Sequence, residues 1–452
     1  MDTALLTAVT SSARVQAALL QRRIDTAYLR DTRDVFEWHM LDADCLPLGG
    51  WDRASVGVVQ ATHDANGMEI DGLTASKRKL YVGQLGVNYK RDHMEVVSPW
   101  STSDDGYADW DAVEGLCDHA IRERLRSDPK DFAIMMAEAN ATPKPSRDRL
   151  VELLFEKLRV PAIFLAKNAV LSAFATARQT AIIVDAGYRS TTVAAVHDGY
   201  ALTKTFAKSP FGGQALNTLM QKALEVKGVV LRPRYTFKRR ELSPGEWKVE
   251  EVPSPLVTPS FKAYQVEALV SDIREALCKV NDVMFDEVAN ANLLTTSYEL
   301  PDGTEIIVGS DRLKVPEVLF QPRLLSTFTL INPDTFTARP DGSVAAPLPE
   351  MVMEAITKCD VDVRKDMYQG VVLTGGLSLT GGLRDRLEKE LTEQGPSGAR
   401  FKVTMAANPT ERRFSTWLGG SILASLGSFQ QMWVSRKEYD EHGTVIVHRK
   451  AP

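Results

Sequence analysis

The spacing of apolar residues predicts two amphipathic helices. Within residues 146–158 (SRDRLVELLFEKL) the apolar side chains fall on one helical stripe, after start signals at Pro145 and Ser146. Leu383, Leu387 and Leu391 repeat every four residues, which predicts another helix from about Gly381. We expect both helices to pack against a core.

Two apolar runs predict strands that end in glycine turns. Residues 181–184 (AIIV) lead through Asp185-Ala186-Gly187 into 190–196 (STTVAAV), which indicates a hairpin with a carboxylate at its bend. Residues 370–373 (GVVL) lead through Thr374-Gly375-Gly376 into the second helix. Strands that alternate with helices in this way favour an α/β architecture over an all-helical or all-β one.

Three stretches interrupt the pattern. Residues 231–262 hold five prolines among charged residues, residues 331–350 hold four prolines, and residues 102–107 are polar with one glycine. We expect all three to be mobile surface insertions.

Composition narrows the class of protein. The 452 residues are 44% hydrophobic and 25% charged, which is typical of a folded, water-soluble chain and excludes a collagenous, coiled-coil or wholly disordered one. The 54 basic and 59 acidic residues give a net charge of −5, so no overall cationic field attracts nucleic acid or an anionic membrane.

The cysteines and the apolar runs indicate in which cellular compartment the protein is expected. Cys45, Cys117, Cys278 and Cys359 show neither C-x-x-C nor a matching histidine spacing, so we predict reduced thiols in a nuclear or cytosolic compartment. The N-terminus lacks the continuous apolar stretch of a signal peptide, and no run approaches roughly 18 apolar residues, so no membrane span is predicted.

The glycine turns are candidates for binding phosphate, because glycine lets backbone N–H groups approach a ligand closely. Glycines at strand-to-turn positions are mostly structural, so a purely structural role is favoured for each turn taken alone. The motifs G-x-x-x-x-G-K-[ST], G-x-G-x-x-G, H-E-x-x-H and G-x-S-x-G are absent, which disfavours a P-loop NTPase, a Rossmann dehydrogenase, a zincin and an α/β-hydrolase.

Longer sequence segments resemble those of the actin family, both in their residues and in their order along the chain. They are 298–303 (YELPDG), 315–322 (VPEVLFQP), 358–368 (KCDVDVRKDMY), 373–376 (LTGG) and 411–439 (ERRFSTWLGGSILASLGSFQQMWVSRKEY). Residues 155–178, residues 197–200 (HDGY) and the glycine of SLGSFQQMW are most similar to the nuclear actin-related protein 4 class, also called actin-like protein 6. The resemblance runs from roughly Ser55 to the end of the chain.

The resemblance implies an actin-type α/β fold with two ribonuclease-H-like halves around a nucleotide cleft. The first half would be residues 55–178 with 410–452 (subdomains 1 and 2), and the second half would be 179–409 (subdomains 3 and 4), with insertions at 231–262 and 331–350. Residues 1–54 are atypical, because no strand there leads into the Asp-x-Gly-Ser phosphate hairpin of the first half. Either this segment replaces that hairpin, or it reflects an altered start of the gene model.

The resemblance also implies ATP and Mg²⁺ as ligands. Asp185 would be the outer-sphere carboxylate for Mg²⁺, a cation that keeps several waters. The residues implied to contact nucleotide are Asp185 and Gly187 on the hairpin, Gly213 near ribose and phosphates, Arg274 and Glu275 around adenosine, Gly375 and Gly376 behind the phosphates, and Arg413 near adenine. For Arg274 and Glu275, a solvated helix face is the alternative interpretation. Tyr188 and Arg189 stand where conventional actins have Asp and Gly.

Two positions argue against ATP hydrolysis. Asn168 and Thr192 stand where the family has a Gln and a His that orient the attacking water. Asn is one methylene shorter than Gln, and a misplacement of about 1 Å costs on the order of 100-fold in rate. Thr cannot serve as a base near neutral pH. We therefore predict little or no ATPase activity, with any bound ATP structural.

The partners implied by the class are the helicase-SANT-associated helix of a remodeller ATPase, nuclear actin and other complex subunits. Chromatin would be reached indirectly, in the nucleus, and no membrane is involved. Parts of 160–174 and 417–433 would line the groove for the helix, and we expect most of the aromatic residues Trp417, Phe429, Trp433 and Tyr439 to be buried. A basic cluster, Arg232, Arg234, Lys238, Arg239 and Arg240, either contacts nucleic acid, serves in nuclear import or is simply solvated.

Three functions remain in view. The favoured one is a non-catalytic subunit of nuclear chromatin-remodelling and histone acetyltransferase complexes. The alternative is a cytoskeletal, filament-forming, ATP-binding actin. A sugar kinase or chaperone of the wider superfamily is disfavoured, because the long strings are those of actins.

Overall fold

The computed structural model describes residues 6–9, 55–60, 78–101, 106–243, 246–289, 295–328 and 345–451. The strands are β1 Leu6–Val9, β2 Val56–Gln60, β3 Arg78–Tyr81, β4 Glu95–Val97, β5 Ala133–Glu138, β6 Ala162–Lys167, β7 Ala181–Ala186, β8 Thr191–His197, β9 Tyr200–Ala201, β10 Ala207–Ser209, β11 Phe237–Ser243, β12 Glu246–Glu251, β13 Thr296–Glu299, β14 Glu305–Val308, β15 Val371–Thr374, β16 Val403–Thr404 and β17 Val434–Ser435.

The α-helices alternate with these strands. They are α1 Gly83–Asn88, α2 Trp110–Asp118, α3 Lys144–Glu152, α4 Asn168–Ala175, α5 Gly213–Val226, α6 Pro259–Leu277, α7 Asp311–Glu317, α8 Leu348–Thr357, α9 Val361–Gln369, α10 Leu383–Gln394, α11 Pro409–Arg413, α12 Ser415–Ser425, α13 Arg436–His442 and α14 Val445–Lys450. None of the helices within the described ranges is long and apolar enough to cross a membrane.

The first of two larger sheets has the strand order β1-β5-β6-β17. Strands β5 and β6 are parallel, whereas β1 and β17 are antiparallel to their neighbours at the two edges. Its core includes Leu150, Leu154 and Phe155, which are fully buried. The helix predicted at 146–158 is confirmed; it begins at Lys144, and its last turn, Leu153–Lys157, is π-helical.

Strand β1 lies in the segment for which no actin-like feature was recognised. Leu6 pairs with Met136 and Val9 with Ala133. In the sequence this strand is followed by Thr10, Ser11 and Ser12, not by an Asp-x-Gly turn. Residues 10–54 lie outside the described residues, so the two explanations of the N-terminal segment both stay open.

The second sheet has the order β10-β8-β7-β15-β16, with β9 also paired to β8. Strands β7 and β8 form the predicted hairpin, β15 runs parallel to β7, and helix α10 follows the glycine turn as predicted. Ile182, Ile183 and Val184 in β7 are all buried, because helices cover both faces of this sheet.

Helices α4 and α12 pack closely against each other between the two sheets. A Cβ on Gly419 of α12 would lie 1.7 Å from the carbonyl oxygen of Leu171 in α4. The hydroxyls of Ser172 and Thr416 are 3.3 Å apart at the same contact. Gly419 is therefore a packing residue, because only glycine allows the two helices to approach so closely.

The stretch 231–262 contains regular secondary structure, and its expected mobility as a surface insertion stays a prediction. Strands β11 and β12 pair as an antiparallel hairpin, and helix α6 begins at Pro259. Ion pairs from Arg232 to Asp302 at 3.3 Å and from Arg239 to Glu299 at 3.0 Å fix the hairpin to the loop between β13 and β14 and to β13. Of the other two stretches, 102–105 and 331–344 lie outside the described residues.

The expected burial of the C-terminal aromatic residues holds only in part. Phe429 is buried, but Trp417, Trp433 and Tyr439 are half-buried. Tyr439 explains why, since its ring stacks on Phe155 while its hydroxyl donates to a carboxylate oxygen of Glu156 at 2.8 Å near the surface.

Three cysteines lie in the described part of the chain, and all are buried with no disulfide bond. They are Cys117, Cys278 and Cys359, and burial raises the pKa of the Cys117 and Cys278 thiols to about 12. These thiols are therefore protonated and unreactive at neutral pH. Cys45 lies outside the described residues.

Candidate functional site

Asp185 lies where three strands of the second sheet meet. It is nearly the last residue of β7, and it is opposite Thr192 on β8 and Thr374 on β15. Gly375 has φ +90°, and a Cβ there would lie 2.4 Å from the Ala186 carbonyl oxygen and 2.6 Å from Asp185 Oδ1. The structure thus brings Asp185, Thr192 and Gly375 together, and only glycine fits at the end of β15. Gly376 follows as the first residue of a short 3₁₀ turn, Gly376–Leu379.

Asn168 is the first residue of α4, directly after strand β6. Its side chain is buried, and its Oδ1 has no hydrogen-bond partner within the described part of the chain. Thr192 is also buried. Because α4 packs on the β7–β8 hairpin through Ala169, Ala173 and Ala194, Asn168 and Thr192 belong to one region of the fold.

The turn between β7 and β8 rests on the N-terminus of helix α5. The Gly187 N–H donates to the Ser190 carbonyl at 3.0 Å and closes the turn. The carbonyls of Gly187 and Tyr188 accept from the N–H groups of Gly213 at 3.0 Å and Gln214 at 2.7 Å. Two of the predicted glycines, Gly187 and Gly213, therefore touch directly.

Tyr188 and Arg189 at the tip of this turn make contacts to other parts of the fold. The Tyr188 hydroxyl donates to the carboxylate of Glu267 on α6, and its ring lies 3.3 Å from the position of a Cβ on Gly213. Arg189 donates from Nη2 to the carbonyl oxygen of Ser101 at 2.6 Å and lies over the Trp100 ring. Both side chains at this turn are therefore fixed by contacts to distant parts of the chain.

Arg274, Glu275 and Arg413 form one cluster. Arg274 is buried, donates from Nε to Asn217 Oδ1 at 2.7 Å, and lies 3.1 Å from a carboxylate oxygen of Glu275. Glu275 also pairs with Arg413 at 3.3 Å. The alternative of a solvated helix face is therefore wrong for Arg274. The predicted adenosine residues converge from α6 and α11.

Several buried polar atoms near these residues have no partner in the described ranges. They are Asn168 Oδ1, Ser190 Oγ, Asn217 Nδ2 and Arg413 Nε. Buried polar atoms are normally hydrogen-bonded, so orphaned atoms of both donor and acceptor type fit a polar ligand such as a nucleotide. The roles of these residues toward nucleotide stay predictions.

No group of three or more His, Cys, Asp or Glu side chains that could hold a metal ion occurs among the residues that the structure describes. The proposed role of Asp185 requires no such group, since an outer-sphere carboxylate binds the cation through its waters. That role stays a prediction.

Comparison with known proteins decides the family. The family described as Actin matches residues 53–452. The chain belongs to the actin family. The predicted actin-type α/β fold is thereby confirmed. The family binds ATP with Mg²⁺ in general.

Relatives within the actin family share one name. The chain is 48% identical over 401 residues to actin-related protein 4 of Oryza sativa subsp. indica, covering 89% of this chain and 88% of the relative. It is 48% identical over 375 residues to actin-related protein 4 of Arabidopsis thaliana, covering 83% of this chain and 84% of the relative. It is 36% identical over 390 residues to actin-related protein 4 of Yarrowia lipolytica, covering 85% of this chain and 87% of the relative. The predicted similarity to this class is confirmed.

Sequence reasoning missed three contributors to the site. Asn217 lies four residues after Gly213, one helical turn along α5, so spacing on a helix could have identified it. Glu267 lies seven residues before Arg274 on α6 and could have been found in the same way. Ser101 contributes only its backbone carbonyl, for which the sequence contains no signal.

The basic cluster is only partly available to a ligand. Arg232 pairs with Asp302, and Arg239 pairs with Glu299 and lies over the Trp247 ring. Lys238 and Arg240 are exposed on β11. Arg234 is exposed as well, so the choice among nucleic-acid contact, nuclear import and simple solvation stays open.

Proposed function

We propose that this chain is a non-catalytic actin-related subunit of nuclear chromatin-remodelling complexes of the SWI/SNF or INO/SWR type and of histone acetyltransferase complexes. The observation that carries the proposal is its similarity to actin-related proteins 4 over most of its length. Members of that class dock on the remodeller ATPase beside nuclear actin and thereby contribute to remodelling and transcription regulation.

The degenerate catalytic positions support a non-catalytic role. Asn168 and Thr192 offer an amide and a hydroxyl where hydrolysis requires a longer amide and a tunable base. Tyr188 replaces the family's Asp with an uncharged phenol, and Arg189 replaces the family's Gly with a bulky cation. In this proposal the protein is a pseudo-ATPase that offers its surface to partner proteins for docking.

The cleft retains ATP as a structural ligand. Arg274, Glu275 and Arg413 would hold the adenosine side, and Gly213, Gly375 and Gly376 would let the backbone approach the phosphates. Bound ATP would supply negative charge and hydrogen-bond acceptors to a buried region that has unpaired donors.

We infer that the partner helix docks near α4 and α12. Phe174, Leu423, Leu426 and Met432 are half-buried apolar side chains on the two segments. Tyr200 on β9 is 64% exposed and follows Gly199, at which a Cβ would lie 3.9 Å from the Phe174 ring. Apolar anchors of an amphipathic helix bury such side chains in helix-in-groove recognition.

Binding of the purified chain to the helicase-SANT-associated segment of a remodeller ATPase tests the proposal, with and without actin, by fluorescence anisotropy. Tyr200→Glu should weaken binding at least about tenfold, because it places a charge in an apolar contact. Val361→Glu is the matched control, since Val361 is 73% exposed on α9. Absence of binding to the segment in both conditions, together with filaments that sediment under polymerising salt, would instead support the cytoskeletal alternative.

A further inference from the structure

A pocket of about 440 Å³, which we call the hairpin pocket, lies where the β11–β12 hairpin meets helix α6 and strand β13. One wall is a single stripe of α6, because Gln265, Ala268, Leu269 and Asp272 recur at spacings of three, four and seven residues. The other walls come from the start of the hairpin and from the end of β13 with the loop after it. None of the lining residues is among those predicted to contact nucleotide, and none lies on α4 or α12. The hairpin pocket is thus a separate site, with a volume in the range of ligand sites.

Three of the four charged residues that line the hairpin pocket have partners. The Asp272 carboxylate accepts from the Tyr298 hydroxyl, and Glu299 pairs with Arg239 at 3.0 Å. Arg234 is exposed, and its side chain makes no ion pair or hydrogen bond with any residue that the structure describes. The pocket therefore presents one uncompensated positive charge.

The Tyr298 hydroxyl stays protonated beside this charge. Burial, followed by the Asp272 carboxylate, raises the pKa of Tyr298 to about 12, while the Arg234 charge opposes the rise. Tyr298 therefore remains a hydrogen-bond donor at neutral pH. Asp272 is engaged by this hydroxyl rather than by Arg234, which leaves the guanidinium for a ligand.

Two edge strands border the hairpin pocket. Arg239 lies on β11, Tyr298 and Glu299 lie on β13, and each of these strands belongs to a sheet of two strands. In the described part of the chain, neither strand has a second strand as neighbour. Edge strands offer unpaired backbone N–H and C=O groups, to which an extended peptide can add as a further strand.

The rest of the lining suits a peptide better than a nucleic acid. Leu269 and Leu300 are buried apolar lining residues, and Ala268 is half-buried. Gln265 Nε2 is buried and has no acceptor within the described ranges, so the carbonyl oxygen of a bound peptide would satisfy it. A nucleic-acid site is typically strongly basic, whereas two carboxylates line this pocket, one of them that of Asp272.

We propose that the hairpin pocket binds an extended segment of a partner protein, in which an acidic side chain pairs with Arg234 and an apolar side chain packs against Ala268 and Leu269. A guanidinium forms bidentate hydrogen bonds with a carboxylate, which gives the site its charge complementarity. Residues two positions apart in an extended chain point to the same side, so the acidic and the apolar residue are spaced by two. This docking contact requires neither nucleotide nor the partner helix near α4 and α12.

Peptides selected from a phage-displayed library of random dodecapeptides on the purified full chain are the probes. Each enriched peptide is synthesised with a fluorescent label, and its affinity is measured by anisotropy in about 150 mM salt, where charges more than about 8 Å apart are largely screened. Arg234→Glu reverses the charge, and Ala268→Phe fills the pocket. Arg240→Glu is the matched control, because Arg240 is exposed on β11 but does not line the pocket.

The peptides that bind the hairpin pocket should carry Asp or Glu two positions from an apolar residue. Arg234→Glu and Ala268→Phe should each weaken their binding by at least about tenfold, whereas Arg240→Glu should change it by less than about twofold. Replacement of the acidic peptide residue by its amide should weaken binding to the parent chain to a similar extent. It should cause little further loss in Arg234→Gln, because both changes remove the same pair. Circular dichroism verifies that each variant is folded.

Two results would overturn the proposal. If no enriched peptide distinguishes Arg234→Glu from Arg240→Glu, peptide binding at the hairpin pocket is refuted. A labelled DNA of mixed sequence that binds the parent chain and is lost equally in both variants would then assign the basic cluster to nucleic acid. If the peptides that are sensitive to Arg234→Glu lack an acidic residue, the pairing with Arg234 is refuted.

Discussion

The α-carbon of Gly419 faces the carbonyl oxygen of Leu171 so closely that a Cβ would lie 1.7 Å from that oxygen. This contact joins helix α12 to helix α4, which begins at Asn168. The two helices lie between the sheets, so their spacing sets the distance between the two sheets.

Gly419→Ala should therefore destabilise the protein by about 3 kcal/mol, because one helix must shift to relieve the overlap. Gly427→Ala is the control, since no atom lies within 4 Å of a Cβ at that position. Chemical denaturation followed by circular dichroism measures both. Equal stability of the two variants would contradict the close packing of α4 and α12.

Arg189→Ala should lower the free energy of unfolding by about 1.5–3 kcal/mol, the usual contribution of a hydrogen bond from a charged donor. The loss of the contact with Trp100 acts in the same direction. Arg384→Ala serves as control, because Arg384 is exposed and pairs only locally with Asp385. The same urea midpoint for both variants would show that the link to Ser101 contributes nothing.

The pH dependence of stability should change in Glu438→Gln. Hydrogen bonds from Ser435, followed by the Lys450 ammonium, lower the pKa of Glu438 from 4.5 to about 2. A carboxylate whose pKa is lowered on folding adds stability above its unfolded pKa, and that stability is lost as the pH falls through its folded pKa.

Above pH 5, the free energy of unfolding of the parent chain should accordingly exceed that of Glu438→Gln by about 1 kcal/mol. This value allows for solvent screening of a partly exposed pair and for the helix cap. The difference should fade between about pH 4.5 and pH 2. Melting temperatures across this range measure the difference. Glu441→Gln, an exposed position on the same helix, should show no such fade.

ATP hydrolysis by this chain should be at least about 100-fold slower than that of a conventional actin assayed beside it, since Asn168 has a shorter amide than Gln and Thr192 has no titratable base. Release of inorganic phosphate is the readout. Asp185→Ala should leave the residual signal unchanged, because that signal is background. A rate comparable with conventional actin that Asp185→Ala abolishes would refute the non-catalytic assignment.

Local pattern predicted the elements that depend on neighbouring residues. The β7–β8 hairpin, the strand before Gly375 and the helices at 144–152 and 383–394 follow from alternation and from a four-residue repeat, which the backbone imposes on any amphipathic segment. The hairpin at 237–251 was missed because its proline-rich flanks indicate a loop, whereas ion pairs to Asp302 and Glu299 stabilise it from a distant part of the chain.

The sequence by itself therefore determined the α/β class, the actin family and the residue types of the cleft, because long strings and local periodicity are properties of the chain alone. The tertiary structure decided that Arg274 is buried against Asn217, that Arg189 reaches Ser101 and that Ser260 accepts from the Val96 N–H. These contacts join residues far apart in sequence, and several use backbone atoms that every residue possesses. Only the folded chain specifies which of them meet.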